Sequence, residues 1–413
     1  MDKPIACFEC SSNGVKLLVG YCLNGEPYCI YRSFIPLPFS WKDGFIDEAA
    51  YLEALRRFNE VDDAQAKVRI SITEVATVLP AIGMRIFQNE QSTGTTSSDS
   101  IITKLDISNV VSLVRKQQIP DGLGIVDIVP DEFIIDGNLH FKDPPFGQKS
   151  ENITMRAKIH TIPESSLQTH NNLYLHAPYR IKAQGISTYC LCEWIRSLKD
   201  MPSSYLLVDM GAKTTSVSLI GNHTPYDGRT FYCGGNDLTN RISEAFKIPL
   251  EEAETLKQKY GYDERKISYD PYFEDYAGKK FAGVKYKQSD LNKVIEEYFK
   301  QFSDYIYHAI SDMLGRYKGA HDRLPVVLTG GASTLNGIDN FLTSLFPGRQ
   351  IVKAKSKTIG CLDEGYGSLL GLLLVASQYK GSLNDYHNGM ASVSRVPVKK
   401  EKPKKVNPED DQL

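Results

Sequence analysis

Two stretches about 200 residues apart follow one plan, and that repetition limits the folds open to the chain. Residues 5–35 read IACFEC, a polar turn SSNG, VKLLVGYCL, a turn NGEP and YCIYRSFI. Residues 203–233 read SSYLLVDMG, a short turn AKT, TSVSLIGN and a third run through Arg229 to Cys233. Runs rich in β-branched and aromatic residues, separated by tight Asn-Gly or small-residue turns, are antiparallel hairpins. A meander built twice predicts two related lobes. At 413 residues the chain is long enough for both without disulfide staples.

Elsewhere helices and strands alternate. Residues 46–60 (IDEAAYLEALRRFNE) predict a helix opened by Asp47 as N-cap. In IPLEEAETLKQKYG, Pro249 at the first helical position, acids in the first turn, Lys257 and Lys259 near the end and Gly261 beyond it give consistent start and stop signals. From Ser289 to Tyr317, apolar residues from Leu291 and Val294 to Ala309 and Met313 recur at helical spacing, as in a long amphipathic core helix. Gln91–Ser100 (QSTGTTSSDS) reads as a mobile polar loop. It opens a unit with its own helix (DISNVVSLVRKQ) and strands (GIVDIVPDEFII and MRAKIHTIP), predicted as an inserted α+β subdomain. After Tyr379 apolar periodicity ends, and a disordered tail is expected.

Charge and apolar runs narrow the partners. Lys+Arg 48 against Asp+Glu 50 leaves a net charge of -2, which argues against nucleic acid. The longest apolar run, Leu369 to Ala376, is under half the ~20 residues that span a bilayer, and MDKPIACFEC lacks a signal-peptide pattern. A secreted or integral membrane protein is not expected. Cys7 and Cys10 lie three apart in a predicted strand and so point to opposite faces, which favours buried reduced thiols over a zinc or redox pair.

Four glycine-bearing motifs carry the chemistry. Two hairpin turns can aim backbone N–H groups at one polyphosphate from both sides. In the first, Glu9 precedes the turn residues Ser12 and Asn13, with Lys16 after them. In the second, Asp209 closes a strand where it can hold hydrated Mg²⁺; Gly211, Ala212 and Lys213 form the turn and Thr214 and Thr215 offer hydroxyls. Gly234 and Gly235 start a helix after the second hairpin. An apolar strand from Val326 breaks into Gly330, Gly331, Ala332 and Ser333 ahead of another helix, an arrangement that admits a nucleoside and its phosphates.

In this order the motifs resemble the actin, Hsp70 and sugar kinase superfamily, and more closely the FtsA family of bacterial cell-division proteins. The first hairpin looks like the family's phosphate-1 loop, VDMGAKTTSVSLI like phosphate-2 and LTGGASTLNGIDNF like the adenosine motif. FYCGGNDLTNRI with EEAETLKQKYG is similar to the segment lining the adenine side, where Glu254 and Lys257 share one helix face. VVSLVRKQQIPDGLGIVDIVPDEFIIDGN, FKDPPFGQ and ITMRAKIHTIP look like the FtsA-specific subdomain.

The resemblance implies an actin-like duplicated two-lobe α/β ATPase fold. Residues 1–79 and 167–201 would form the first lobe, 80–166 the insertion, 202–380 the second lobe with 236–290 as its smaller part, and 381–413 the tail. It also implies ATP and Mg²⁺ as cofactors, Glu9 and Asp209 as the catalytic and metal-binding acids, and location at the cytoplasmic face of the membrane at the division site. The expected partners are a tubulin-like FtsZ homologue, further copies of the chain and other divisome proteins.

Departures from the family pattern set further expectations. Glu9 and Ser11 stand where the family usually has Asp and Gly, Arg241 where it often has Asp, and TYCLCEWIRSLKDMPS offers no obvious water-activating group. The chain is therefore expected to be at most a slow ATPase. Pro397, Pro403 and Pro408 interrupt the basic tail, which predicts weak membrane association or attachment through a partner. The alternatives are a PilM-like pilus assembly scaffold and a small-molecule kinase of the same superfamily.

Overall fold

The first hairpin pairs Ile5–Ser11 with Gly14–Leu23, and Ser11 faces Gly14 across its two-residue turn. Gly14 has φ +144°, and a Cβ there would lie 2.1 Å from the Ile35 carbonyl oxygen, so only glycine fits this bend. Glu26–Pro36 continues the meander, while Glu74–Leu79 and then Arg180–Ile186 add parallel strands on the other side of Ile5–Ser11. The second hairpin pairs Tyr205–Met210 with Thr215–Gly221; Thr224–Phe231 follows on one side, and Val326–Thr329 and Ile351–Lys353 run parallel on the other. Both five-stranded sheets therefore have the same order and the same strand directions. The computed structural model describes residues 4–37, 40–42, 45–63, 68–263, 286–317 and 323–378. The expected tail and much of the expected smaller part of the second lobe lie outside those residues.

Two buried helices, Ser187–Ser197 and Gly367–Gln378, separate the sheets. Cys7, Leu18 and Ala76 from one sheet and Leu207, Ile220 and Val327 from the other close on Cys190, Trp194, Leu369 and Leu373. Gly367–Gln378 follows the last strand of the second sheet in sequence but packs on strands of the first, so the chain crosses between lobes twice. Glu48–Arg57 and Glu164–His176 cover the outer face of the first sheet. Asp47 caps the former by accepting from the N–H groups of Ala49 and Ala50. Gly235–Phe246, Gln288–Arg316 and Ile338–Leu345 cover the second.

The inserted unit is a four-stranded antiparallel sheet, Leu139–Phe141, Leu123–Ile135, Asn152–Pro163 and Arg85–Gly94 in that order, with Lys104–Arg115 packed on it. Gln91–Gly94, expected in a mobile loop, are the end of the edge strand and pair with Asn152–Met155. An edge strand needs no apolar alternation on its free side, which hides it from pattern reading. Pro249 is the N-cap of Leu250–Tyr260 rather than its first residue. After Gly330 the backbone makes a short 3-10 turn, Gly331–Thr334, and the following helix starts only at Ile338. Cys7 and Cys10 enter opposite cores, and all eight cysteines are free.

Candidate functional site

A cleft of about 820 Å³ opens between the lobes, lined by both hairpin turns, Gly330–Ala332, the start of the Gly235–Phe246 helix and Asp363–Tyr366. The duplicated sheets place Glu9 and Asp209 at equivalent strand ends, in register with Val78 and Thr329 of the neighbouring parallel strands. Lys16, opposite Glu9 across the hairpin, donates from Nζ to Glu9 Oε2 at 3.1 Å and to the Gly365 carbonyl at 2.6 Å. Ser368 Oγ donates to the same Glu9 oxygen at 3.1 Å. Asp209 has no ion-pair partner among the described residues. Desolvation at the cleft floor and repulsion by Glu9, only partly offset by Lys16, raise its carboxyl from the ordinary aspartate value to about 6.

Gly330 makes this floor possible. It has φ +87°, and a Cβ there would sit 2.5 Å from Asp209 Oδ1 and 2.5 Å from the Met210 carbonyl oxygen. Ser333, expected to face a ligand, is buried and donates from Oγ to the Gly330 carbonyl at 2.7 Å, holding that bend. At Gly331 a Cβ would meet nothing within 4 Å.

The turns are fixed from behind. The carbonyl of Asn13 accepts from Leu37 N–H at 2.8 Å, and Asn236 Nδ2 reaches Asn13 Oδ1 across the cleft at 3.5 Å. Gly211 N–H bonds the Thr214 carbonyl at 2.8 Å, and the N–H groups of Gly235 and Asn236 bond the carbonyls of Gly211 and Ala212 at 2.9 and 2.8 Å. Gly234 N–H is taken by Asp237 Oδ2 at 2.7 Å. These helix N–H groups are thus occupied by protein, and of Gly234 and Gly235, both expected to contact the cofactor, Gly235 lines the cleft and Gly234 does not. Gly234 serves close packing instead, since a Cβ would lie 2.6 Å from the Ala212 backbone. Thr215 is buried and donates to the Cys233 carbonyl at 2.8 Å. Lys213 does not line the cleft; its Nζ donates to the Trp41 carbonyl at 3.0 Å.

Ser12, Gly211, Ala212, Thr214 and Gly235 do line the cleft, as do Glu254 and Lys257. Lys257 Nζ lies 2.6 Å from Glu254 Oε2 and donates to the Gly235 carbonyl at 3.0 Å and to Thr239 Oγ1 at 2.8 Å. Its three donors are filled, so it braces the Leu250–Tyr260 helix against Gly235–Phe246. Burial raises the Glu254 pKa, but the attraction of Lys257 and bonds from Lys257, Thr239 and Gln258 outweigh it and hold the group below the usual carboxylate range.

Sequence reasoning missed the wall formed by Asp363–Ser368. Arg32 Nη1 pairs with Asp363 Oδ2 at 3.0 Å and lies over the Tyr366 ring at 5.2 Å, beside Lys16. The local signal was the acidic, glycine-spaced DEGYG before an apolar helix.

Two like sheets closing on a cleft floored by equivalent acids define the actin-like α/β class, here with an inserted antiparallel unit. The family model "Cell division protein FtsA" matches residues 206–366, and "SHS2 domain inserted in FTSA" matches residues 83–161, the inserted unit. The cell division protein FtsA of Streptococcus pneumoniae is 25% identical over 379 residues, 91% of this chain and 80% of that protein. Among solved structures, the PilM-PilN type IV pilus biogenesis complex superposes with a TM-score of 0.56 at 15% identity, over 90% of this chain and 98% of that one. MreB5 of Spiroplasma citri bound to AMPPNP gives 0.52 at 14% identity, over 94% and 99%. At such identities these two establish shared fold alone. The chain belongs to the FtsA family of cell-division proteins.

Proposed function

We propose that the chain binds Mg-ATP in the interlobe cleft and acts as a polymerising adaptor in cell division, linking an FtsZ-like tubulin homologue to the membrane and recruiting other divisome proteins. One observation carries the nucleotide reading: two symmetry-equivalent hairpin turns face one 820 Å³ cleft above Glu9 and Asp209. The MreB5 structure of the same fold contains a nucleotide analogue, which supports the same use of this cleft. The raised Asp209 carboxyl fits a cation that takes most of its ligands from phosphate and water. Bound Mg²⁺ would neutralise the phosphates and lower the Asp209 pKa; Asp209 and Glu9 would hold its hydration shell.

The adaptor role rests on family membership and on the inserted unit, whose edge strands offer backbone for association. Turnover is slow in this reading, because Glu9 is tied to Lys16 and Ser368 and is not free to orient an attacking water. Membrane attachment is peripheral, weak or supplied by a partner. Calorimetry with Mg-ATP tests the site, and a pull-down with the FtsZ homologue with and without ATP tests the adaptor. Absence of nucleotide binding removes the first, and absence of capture in both conditions removes the second.

A further inference from the structure

A small ribbon, Trp41–Lys42 paired with Phe45–Ile46, projects from the first lobe and brings Trp41 to the cleft wall. Its foot is bonded to the first hairpin turn through Leu37 N–H and the Asn13 carbonyl at 2.8 Å, and is closed by Asp47 N–H on the Ser40 carbonyl at 2.7 Å. Trp41 is gripped from the opposite lobe. Lys213, in the second hairpin turn between two cleft-lining residues, donates to the Trp41 carbonyl at 3.0 Å and lies 5.7 Å from the centre of its ring. Tyr232 packs against the same ring at 5.9 Å. One ribbon therefore joins the two turns that would flank a polyphosphate.

We propose that Trp41 contacts the ligand in the cleft and that Trp41 and Lys213 form a latch across its mouth, released when a nucleotide's terminal phosphate draws the Lys213 ammonium off Trp41. The proposal rests on the nucleotide reading above. The Trp41 carbonyl and ring offer the ammonium only partial charge, whereas a phosphate oxygen carries a full negative charge and adds ion-pair attraction to the hydrogen bond. Lys213 sits in the turn between Ala212 and Thr214, both of which line the cleft. Burial lowers its pKa, partly offset by Asp237, as expected for an ammonium held away from water. Exchange of partners would free the ribbon and, through Asn13, be felt at the first turn. The latch would thus report the terminal phosphate to both lobes.

The chain has two tryptophans, and Trp194 is fully buried between the lobes, so Trp41 is the natural optical reporter. The full chain would be titrated with Mg-ATP and Mg-ADP by calorimetry and by tryptophan fluorescence, and release of fluorescent ATP and ADP analogues would be timed by stopped flow. The expected result is a fluorescence change that saturates with calorimetric binding and is larger for ATP than for ADP. In Trp41→Phe the change vanishes, with affinity reduced less than tenfold. Lys213→Met should speed release of the ATP analogue about tenfold, leave release of the ADP analogue unchanged and erase the difference between the ATP and ADP fluorescence changes, because only the terminal phosphate draws this ammonium. Calorimetric binding without a Trp41 signal, a signal that survives Trp41→Phe, or an ATP–ADP difference that survives Lys213→Met would overturn the latch. No calorimetric binding of any nucleotide would overturn the nucleotide reading and the latch with it, a result distinct from those three.

Discussion

Asp209 and its glycine neighbours show how single residues divide the work of the cleft. With its pKa raised to about 6, Asp209 binds a proton more readily folded than unfolded. Its stabilising contribution is complete below the unfolded aspartate range and is lost as pH rises through about 6. At pH 8 the charge costs stability, so Asp209→Asn should raise stability there by about 1–2 kcal/mol and do little at pH 4; urea melts at the two pH values check this. The same variant should weaken binding of Mg-nucleotide, as calorimetry would show. Gly330 and Gly331 are adjacent but not equivalent. A side chain at Gly330 meets Asp209 and the Met210 backbone at φ +87°, so Gly330→Leu should destabilise the fold by about 2–4 kcal/mol. A side chain at Gly331 enters the open cleft, so Gly331→Leu should leave stability within about 0.5 kcal/mol while lowering ATP affinity at least tenfold. Thermal melts and calorimetry on the pair separate the two roles.

Among the elements, the crossing of Ser187–Ser197 with Gly367–Gln378 sets how closely the lobes approach. A Cβ on Gly371 would lie 1.6 Å from the Cys190 carbonyl oxygen, and one on Gly367 would lie 2.6 Å from the Trp194 ring. Backbone meets backbone at Gly371, and neither helix can yield without moving a sheet. Gly371→Val should therefore cost more than about 3 kcal/mol in chemical denaturation, whereas on an exposed helix face the same change is neutral or stabilising by about a few tenths of a kcal/mol. The spacing of Gly367 and Gly371 is visible in the sequence, but its use is not, because the partner helix lies far upstream. The duplicated hairpins, the Asp47 cap and the long helix Gln288–Arg316 were legible because turn chemistry and apolar period are local. Glu9 and Asp209 were legible as strand-end acids for the same reason. What escaped was long-range or patternless. The Gly365 carbonyl reaches Lys16 across 349 positions, and the polar edge strand ending at Gly94 shows no alternation. Lys257 looked like a ligand contact because spacing shows which face a side chain shares, not whether its donors are already filled.

For the molecule as a whole, the inserted unit braces both lobes rather than hanging from one. Its root touches the second sheet where Thr230 Oγ1 bonds the Ala81 carbonyl at 3.2 Å and where Gly228 leaves room for the Met84 methyl, 2.7 Å from where a Cβ would stand. The firmest joint is Lys158. Its side chain is 1% exposed, and its ammonium lies 3.8 Å from the centre of the Tyr226 ring, 3.4 Å from Asp131 Oδ1 and 2.5 Å from Thr224 Oγ1. Ring, carboxylate and hydroxyl take the place of water around this buried ammonium. Tyr226 and Thr224 belong to the second lobe and Asp131 to the insertion, so one ammonium ties the two. Lys158→Met keeps the apolar stem and removes the charge, and should cost about 1–3 kcal/mol. If Lys158 acts as a joint, the loss should be shared: hydrogen exchange should quicken both in Thr224–Phe231 and in Leu123–Ile135, while the distant helix Glu48–Arg57 keeps its protection. Tyr226→Leu should produce the same pattern, and in the Lys158→Met background should add little further cost. Exchange that quickens only within the insertion would mean that Lys158 stabilises its own sheet and that the insertion meets the second lobe chiefly through the Ala81 and Met84 contacts.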